Sequence, residues 1–173
     1  DAPPLAAEVF GPGTISKEEA SIYRGAFSPD GSAFYFFRKV TEGREDYRVF
    51  VSHYSGGTWE EPERIDLGGD FSDLYPTLSP DGNRLVFSSY RPVPGDTSSK
   101  PNANLWYVDR VEDGWGTPVF MDQASTPENY DAGPRFAPDG SIYFSSTTPD
   151  WRTTTKHVTR WNGQAYGPPE PDF

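Results

Sequence analysis

A chain of 173 residues with a formal net charge of −11 and no cysteine is long enough for a full-sized core and excludes disulfide, thiolate and cysteine-zinc chemistry. Its acidic surface repels phosphate backbones and anionic headgroups, so nucleic acid is not an expected partner, and no stretch nears the 18 apolar residues of a membrane-spanning helix, so membrane insertion is not expected either. Aromatics make up 16% beside 17 Gly and 18 Pro, a composition that breaks helices, fills pleated surfaces and is too aromatic for disorder, so many short strands are expected.

In chain order, residues 1–20 carry neither a basic n-region nor an apolar h-region, and an export signal is taken as already removed. Leu5–Phe10 reads as an outer strand, and Ser16 with Glu19 has the spacing of a capping box, enough for one helical turn. Then follow a short strand (IYRGAF), the corner Phe27–Gly31 (FSPDG), an apolar run Ala33–Phe37, a third strand Tyr47–Tyr54, the turn SGGTW ending at Trp59, and a polar strand EEPERIDL. The whole set recurs. LYPTL leads into Leu78–Gly82 (LSPDG), Arg84–Ser89, Asn104–Val111, a Gly-rich turn around Trp115, and TPVFMD. AGPRF leads into Phe136–Gly140 (FAPDG), Ser141–Ser146, Lys156–Asn162, a turn around Tyr166, and PPEPDF.

The corners lie 51 and 58 residues apart (Pro29 to Pro80, then Pro80 to Pro138). In each, Pro presets φ, Asp bonds the local backbone and Gly tolerates a positive φ, so each joins two strands of a hairpin. Four antiparallel strands repeated with one corner predict β-propeller blades: blade 1 over residues 21–70, blade 2 over 71–128, and blade 3 over 129–173 with a truncated outer strand. Three blades do not close a ring, since propellers have four to eight. The chain is therefore expected to be part of a longer propeller of about six blades, or to form a homodimer that closes a six-bladed ring about a twofold axis. Either way the end blades are expected to leave apolar faces uncovered, and residues 1–20 offer a closing strand.

These corners, the opening Pro3-Pro4, Glu8, Phe10, Pro12-Gly13, Ile15 and Ser16, and the later FSSYRP and NLWYVDR stretches resemble the TolB-like, WD40-like β-propeller repeat family of exported bacterial proteins. The resemblance implies a periplasmic or extracellular scaffold whose relatives engage protein partners, and it does not specify a ligand.

Function is expected on the face away from the corners, where the loops joining second to third strands gather: Val40–Asp46, Tyr90–Ala103 and Thr147–Thr155. Candidate ligand-binding residues there are Arg24, Asp73, Tyr75, Tyr90, Arg91, Asp131, Trp151 and Arg152, as aromatic planes for sugar rings or protein partners and guanidinium donors for carboxylates. No catalytic constellation is legible. The chain reads as a non-enzymatic binding or assembly module for a protein or glycan. The alternative is a carbohydrate-active, sialidase-like propeller using Arg with Asp73 and Asp131, equivalent positions where blade 1 has Ile22; SGGTW has Gly57 where the sialidase box has Asp. No cofactor is expected. His53 and His157 sit on separate third strands, and Asp66, Asp70 and Asp73 offer oxygens for Ca²⁺ without the spacing of a calcium loop.

Overall fold

The structure, a computed structural model, describes residues 8–17, 22–41, 46–97 and 102–172. Glu19 of the expected capping turn, Leu5–Ala7 of the expected closing strand, and the middles of the Val40–Asp46 and Tyr90–Ala103 loops lie outside the described residues.

Among the described residues, fourteen strands form three antiparallel sheets. Blade 1 holds β1 (Ile22–Phe27), β2 (Ala33–Lys39), β3 (Tyr47–Ser55), the hairpin tip β4 (Thr58–Trp59) and β5 (Glu63–Arg64). Blade 2 holds β6 (Asp73–Leu78), β7 (Arg84–Ser89), β8 (Asn104–Val111), β9 (Gly114–Trp115) and β10 (Val119–Phe120). Blade 3 holds β11 (Tyr130–Phe136), β12 (Ile142–Thr147), β13 (Thr154–Thr159) and β14 (Glu170–Pro171). Each sheet runs from inner to outer strand in sequence order, β1-β2-β3-β5, β6-β7-β8-β10 and β11-β12-β13-β14, with β4 and β9 extending the third strands. The fold is all-β and propeller-like, as the repeat predicts.

The three corners share one hydrogen-bond pattern. Gly31, Gly82 and Gly140, at φ of 74°, 74° and 84°, each donate their amide to the residue three back, Ser28, Ser79 or Ala137, at 2.8–3.0 Å. Asp30 and Asp81 each accept from the serine hydroxyl two residues back (2.6 and 2.5 Å) and, like Asp139, from the amide two residues on (2.9–3.1 Å). The Ser28 hydroxyl and the Ser32 donors hold the Asp30 carboxyl down at about 2, and Ser79 lowers Asp81 in the same way.

Each inner strand also carries a bulge at the same place, between Ile22 and Gly25, Leu74 and Thr77, and Ala132 and Arg135. A bulge re-aims side chains out of the pleat. Here it directs Arg24, Tyr75 and the bare Gly133, equivalent positions in the three repeats, toward the axis.

The blades stack on layered cores. Tyr35, Phe37 and Val49 of blade 1 meet Leu85, Phe87, Trp106 and Val108 of blade 2. Val86, Leu105 and Met121 of blade 2 meet Ile142 and Phe144 of blade 3. The two end faces differ from the expectation that both would be apolar and bare. Blade 1's outward face is aromatic and only partly covered: a tight Gly11–Ser16 turn drives Ile15 onto Phe36 and Phe50, and the Phe10 ring lies 5.1–5.6 Å from Phe27, Phe34 and Trp59, while Phe10, Phe27 and Tyr54 stay exposed as expected. Glu8–Phe10 form no strand ladder. Blade 3's outward face is mostly polar, because register pairs Tyr143 with Val158, Ser145 with Lys156 and Thr147 with Thr154 on it. Lys156 Nζ donates to Ser145 Oγ (2.5 Å), and the Thr147 and Thr154 hydroxyls bond at 2.9 Å. A six-bladed ring built from two copies would set this polar face against the Phe10–Ile15 cover.

Candidate functional site

At the end opposite the corners, the sequence-predicted residues separate into structural and accessible sets. Arg91 and Asp73 are 6% and 4% exposed and belong to one buried joint between blades 1 and 2. Arg91 Nη2 donates to both Asp73 oxygens (3.0 and 3.1 Å), Nη1 to the Leu67 carbonyl (3.0 Å), and Nε to Ser89 Oγ (2.8 Å). Phe71, Phe87 and Trp106 surround the guanidinium at 5.3–5.4 Å. Burial pushes the Asp73 carboxyl above its ordinary range, against the pull of Arg91. Asp131, fully buried, plays the matching part between blades 2 and 3: it accepts from the Thr126 amide (2.6 Å) and the Thr126 hydroxyl (2.5 Å), and burial raises its carboxyl too. Both carboxylates thus serve the blade joints rather than flanking a cleft. The hydrolytic alternative gains nothing from them.

Asp66, Asp70 and Asp73 do not converge either. Asp66 caps the Gly68 amide (2.9 Å), Asp70 pairs with Arg48 (2.6 Å), and Asp73 with Arg91. Among the described residues no group of three or more acids and histidines is placed to hold a metal.

The accessible set is aromatic. Trp151 is 66% exposed, and its backbone sits in the left-handed region at φ 59°. The cause is local. Thr148-Pro149-Asp150-Trp151 folds as a fourth corner, now at the loop end of blade 3, with Trp in the slot that the other three give to Gly. The Trp151 amide donates to the Thr148 carbonyl (2.8 Å), the Thr148 hydroxyl to Asp150 Oδ1 (2.6 Å), and the Arg152 amide to the same oxygen (3.1 Å). These donors, the Thr148 hydroxyl first, hold the Asp150 carboxyl below its ordinary range. A side chain in this backbone region costs about 1–2 kcal/mol. The indole stacks on Tyr130 (4.6 Å between centroids, 26° between planes), and the Tyr90 ring lies 6.5 Å from Tyr130, tilted by 54°. Arg152 is exposed and 3.6 Å from Asp150.

Beside this platform opens the axial cleft, about 350 Å³, lined by Tyr23, Arg24, Phe37, Tyr75, Ala132, Gly133 and Ser145. Tyr75 is the other non-glycine residue with positive φ (54°) among the described residues, and its ring packs 4.8 Å from Phe37. Arg24 reaches across that ring (5.8 Å to the centroid) toward Gly133, where a Cβ would lie 3.3 Å from its Nη1. A larger cleft of about 520 Å³ lies among the corners of blades 2 and 3. Its polar groups are already engaged, since Arg84 forks onto Asp109 (2.7 and 3.0 Å) and the Tyr166 hydroxyl donates to the Gly140 carbonyl (3.2 Å).

Of the predicted residues, the structure brings Arg24 and Tyr75 together in the cleft and Tyr90 and Trp151 together around Tyr130, while Asp73, Arg91 and Asp131 hold the blades. Tyr130, Tyr23 and Phe37 escaped sequence reasoning. The Thr148–Trp151 corner was the available signal for Tyr130, because its hydrogen-bond residues match the repeat while its glycine is replaced.

No family model matches the sequence, and no curated protein is detectably similar to it. Solved structures are similar in fold. A protein of Agrobacterium tumefaciens assigned as TolB superposes with a TM-score of 0.64 at 20% identity, over 91% of this chain and 50% of its own. A puromycin-hydrolyzing peptidase of Mycobacterium tuberculosis gives 0.59 at 16% identity, over 86% of this chain and 22% of its own. A hypothetical selenium-binding protein of Sulfolobus tokodaii gives 0.53 at 13%, over 92% and 41%. The chain therefore spans about half the length of the Agrobacterium protein, and less of the others, and its fold is of the TolB-like propeller type.

Proposed function

We propose that the chain is a non-enzymatic binding module, a TolB-like propeller segment that presents the Trp151 end to a protein or glycan ligand, in the periplasm or outside the cell. The observation that carries this reading is Trp151 itself. A large aromatic side chain is held out to solvent on a left-handed backbone position that the repeat elsewhere fills with glycine. Backbone strain persists where surrounding structure over-determines it, and it gathers at ligand-contacting sites. The strain in Tyr75, at the neighbouring cleft, supports the same end. A rigid aromatic plane of this kind stacks on sugar rings or on partner side chains at low entropic cost.

Substitution separates fold from function. Trp151→Gly relieves the left-handed strain of about 1–2 kcal/mol and loses a ring stack of about 0.5–1.5 kcal/mol. Its urea midpoint should therefore lie close to the parent's. Trp151→Ala keeps the strain and loses the stack, so it should be the less stable of the two. Both variants should lose ligands selected by the parent from glycan arrays and peptide libraries. Full retention of those ligands by Trp151→Gly would sink the proposal.

A further inference from the structure

We propose that the axial cleft is a carboxylate site, in which Arg24, backed by Arg135, takes the anionic group of a ligand whose apolar body lies against Tyr23, Phe37 and Tyr75. This deepens the reading of the Trp151 end as the ligand face and rests on it for placing the ligand there. The starting point is charge. The chain holds 26 acids against 15 Lys and Arg, and Arg48, Arg64, Arg84, Arg91, Arg152 and Arg160 each have a carboxylate within 4 Å. Four described arginines have none: Arg38 and Arg110 lie over the Phe50 and Trp115 rings at 4.0 and 4.2 Å, which leaves Arg24 and Arg135 at the cleft. These two lie near each other. Arg135 stands two residues beyond Gly133 on β11, and the pairing of Ala132 with Ser145 and Arg135 with Tyr143 puts it on the sheet face that carries the cleft-lining Ala132 and Ser145. Burial, then repulsion from Arg24, pushes the Arg135 guanidinium below its ordinary range. Two like charges set together without a counterion raise the energy of the empty cleft and are relieved by an anion.

The chemistry narrows the anion. A guanidinium presents a planar fork that matches a carboxylate in two parallel hydrogen bonds. The remaining walls are aromatic or small, with one serine whose hydroxyl accepts from Lys156 Nζ (2.5 Å), so Arg24 is the one cation among the residues that line the cleft themselves. A volume near 350 Å³ suits a single aromatic or aliphatic acid, or one such group of a larger ligand. Gly133 is part of the design, since its missing side chain leaves the Arg24 head free to swing onto the ligand.

The test uses the full chain, ¹⁵N-labelled, and three probes: N-acetylphenylalanine, its neutral amide, and phenyl phosphate. The acid should give saturable shifts at the Arg24, Tyr75 and Gly133 amides, weakening with added salt. The amide should bind at least about tenfold more weakly, the effect of losing charge-assisted hydrogen bonds. Arg24→Gln, at an exposed position, should cost the acid about tenfold with an otherwise unchanged spectrum, and Arg135→Gln should cost a smaller factor. Equal binding of acid and amide, or shifts confined to the corner residues, would overturn the site. Tighter binding of phenyl phosphate than of the acid would overturn the carboxylate assignment. Trp151→Gly should leave acid binding intact, so a failed aromatic platform and a failed cleft give different results.

Discussion

Arg91→Ala should remove about 3–5 kcal/mol of stability, because it strands the Asp73 carboxylate in a buried joint with no partner. Arg91 touches three kinds of group at once: the Asp73 carboxylate of β6, the Leu67 carbonyl at the end of blade 1, and Ser89 at the end of β7. It also fills the space between Phe71, Phe87 and Trp106. Deletion therefore leaves a cavity and an unsatisfied acceptor together. Protonation of Asp73, already favoured by burial, limits the damage at low pH, so the loss should shrink as the solution is acidified. Arg91→Met combined with Asp73→Leu should recover most of the deficit, since hydrophobic replacement of a buried pair is often neutral or better. Urea unfolding with an unchanged slope is the measurement. A loss under about 1 kcal/mol would mean that the blades do not depend on this joint.

The second large effect concerns the cover on blade 1. Phe36 is fully buried, stacked between Phe34 (5.5 Å) and Phe50 (6.1 Å), and Ile15 of the N-terminal turn is seated on it. Phe36→Ala should cost about 3–5 kcal/mol, and Ile15→Ala about 2–4 kcal/mol, the range for large-to-small changes in a packed core. Ile15 is the sharper test. If the turn were a loose appendage, its truncation would cost a few tenths of a kcal/mol, as surface substitutions do. Calorimetry on both variants separates the two cases. Because the residues touch, the double variant should lose less than the sum of the single losses.

The blades were legible in the sequence because their signal is local. Ser-Pro-Asp-Gly fixes a turn by its own dihedral and hydrogen-bond needs, and near-continuous aromatic runs such as Ala33–Phe37 announce strands covered on both faces. The character of the end faces was less legible. Periodicity gives alternation but not which side is which, so the polar outward face of β12 and β13 emerged only once Ile142 and Phe144 were seen to face blade 2. Among the candidate residues, placing repeats in register selected the accessible Arg24, Tyr75, Tyr90 and Trp151 and, by the same reasoning, Arg91, Asp73 and Asp131, whose side chains are buried between blades. Charge at a loop end looks the same in sequence whether it binds a ligand or a neighbouring carbonyl. Bulges leave no mark on composition, and they are what turn Arg24 and Tyr75 toward the axis.

The arrangement of ends is open to a direct measurement, because a chain without cysteine accepts pairs of engineered labels cleanly. Spin labels at Ser32 and Asn83 report on neighbouring corners, and labels at Asn83 and Arg152 report on opposite ends; all three positions are exposed. Radial stacking of blades predicts the first pair near the face-to-face spacing of packed sheets, about 10 Å, before label length is added. The second pair adds roughly the 20 Å length of a six-residue strand at right angles to that spacing, for a separation of about 22 Å. A Ser32–Asn83 separation as long as that of Asn83–Arg152 would contradict a scaffold with its corners at one end and its ligand face at the other.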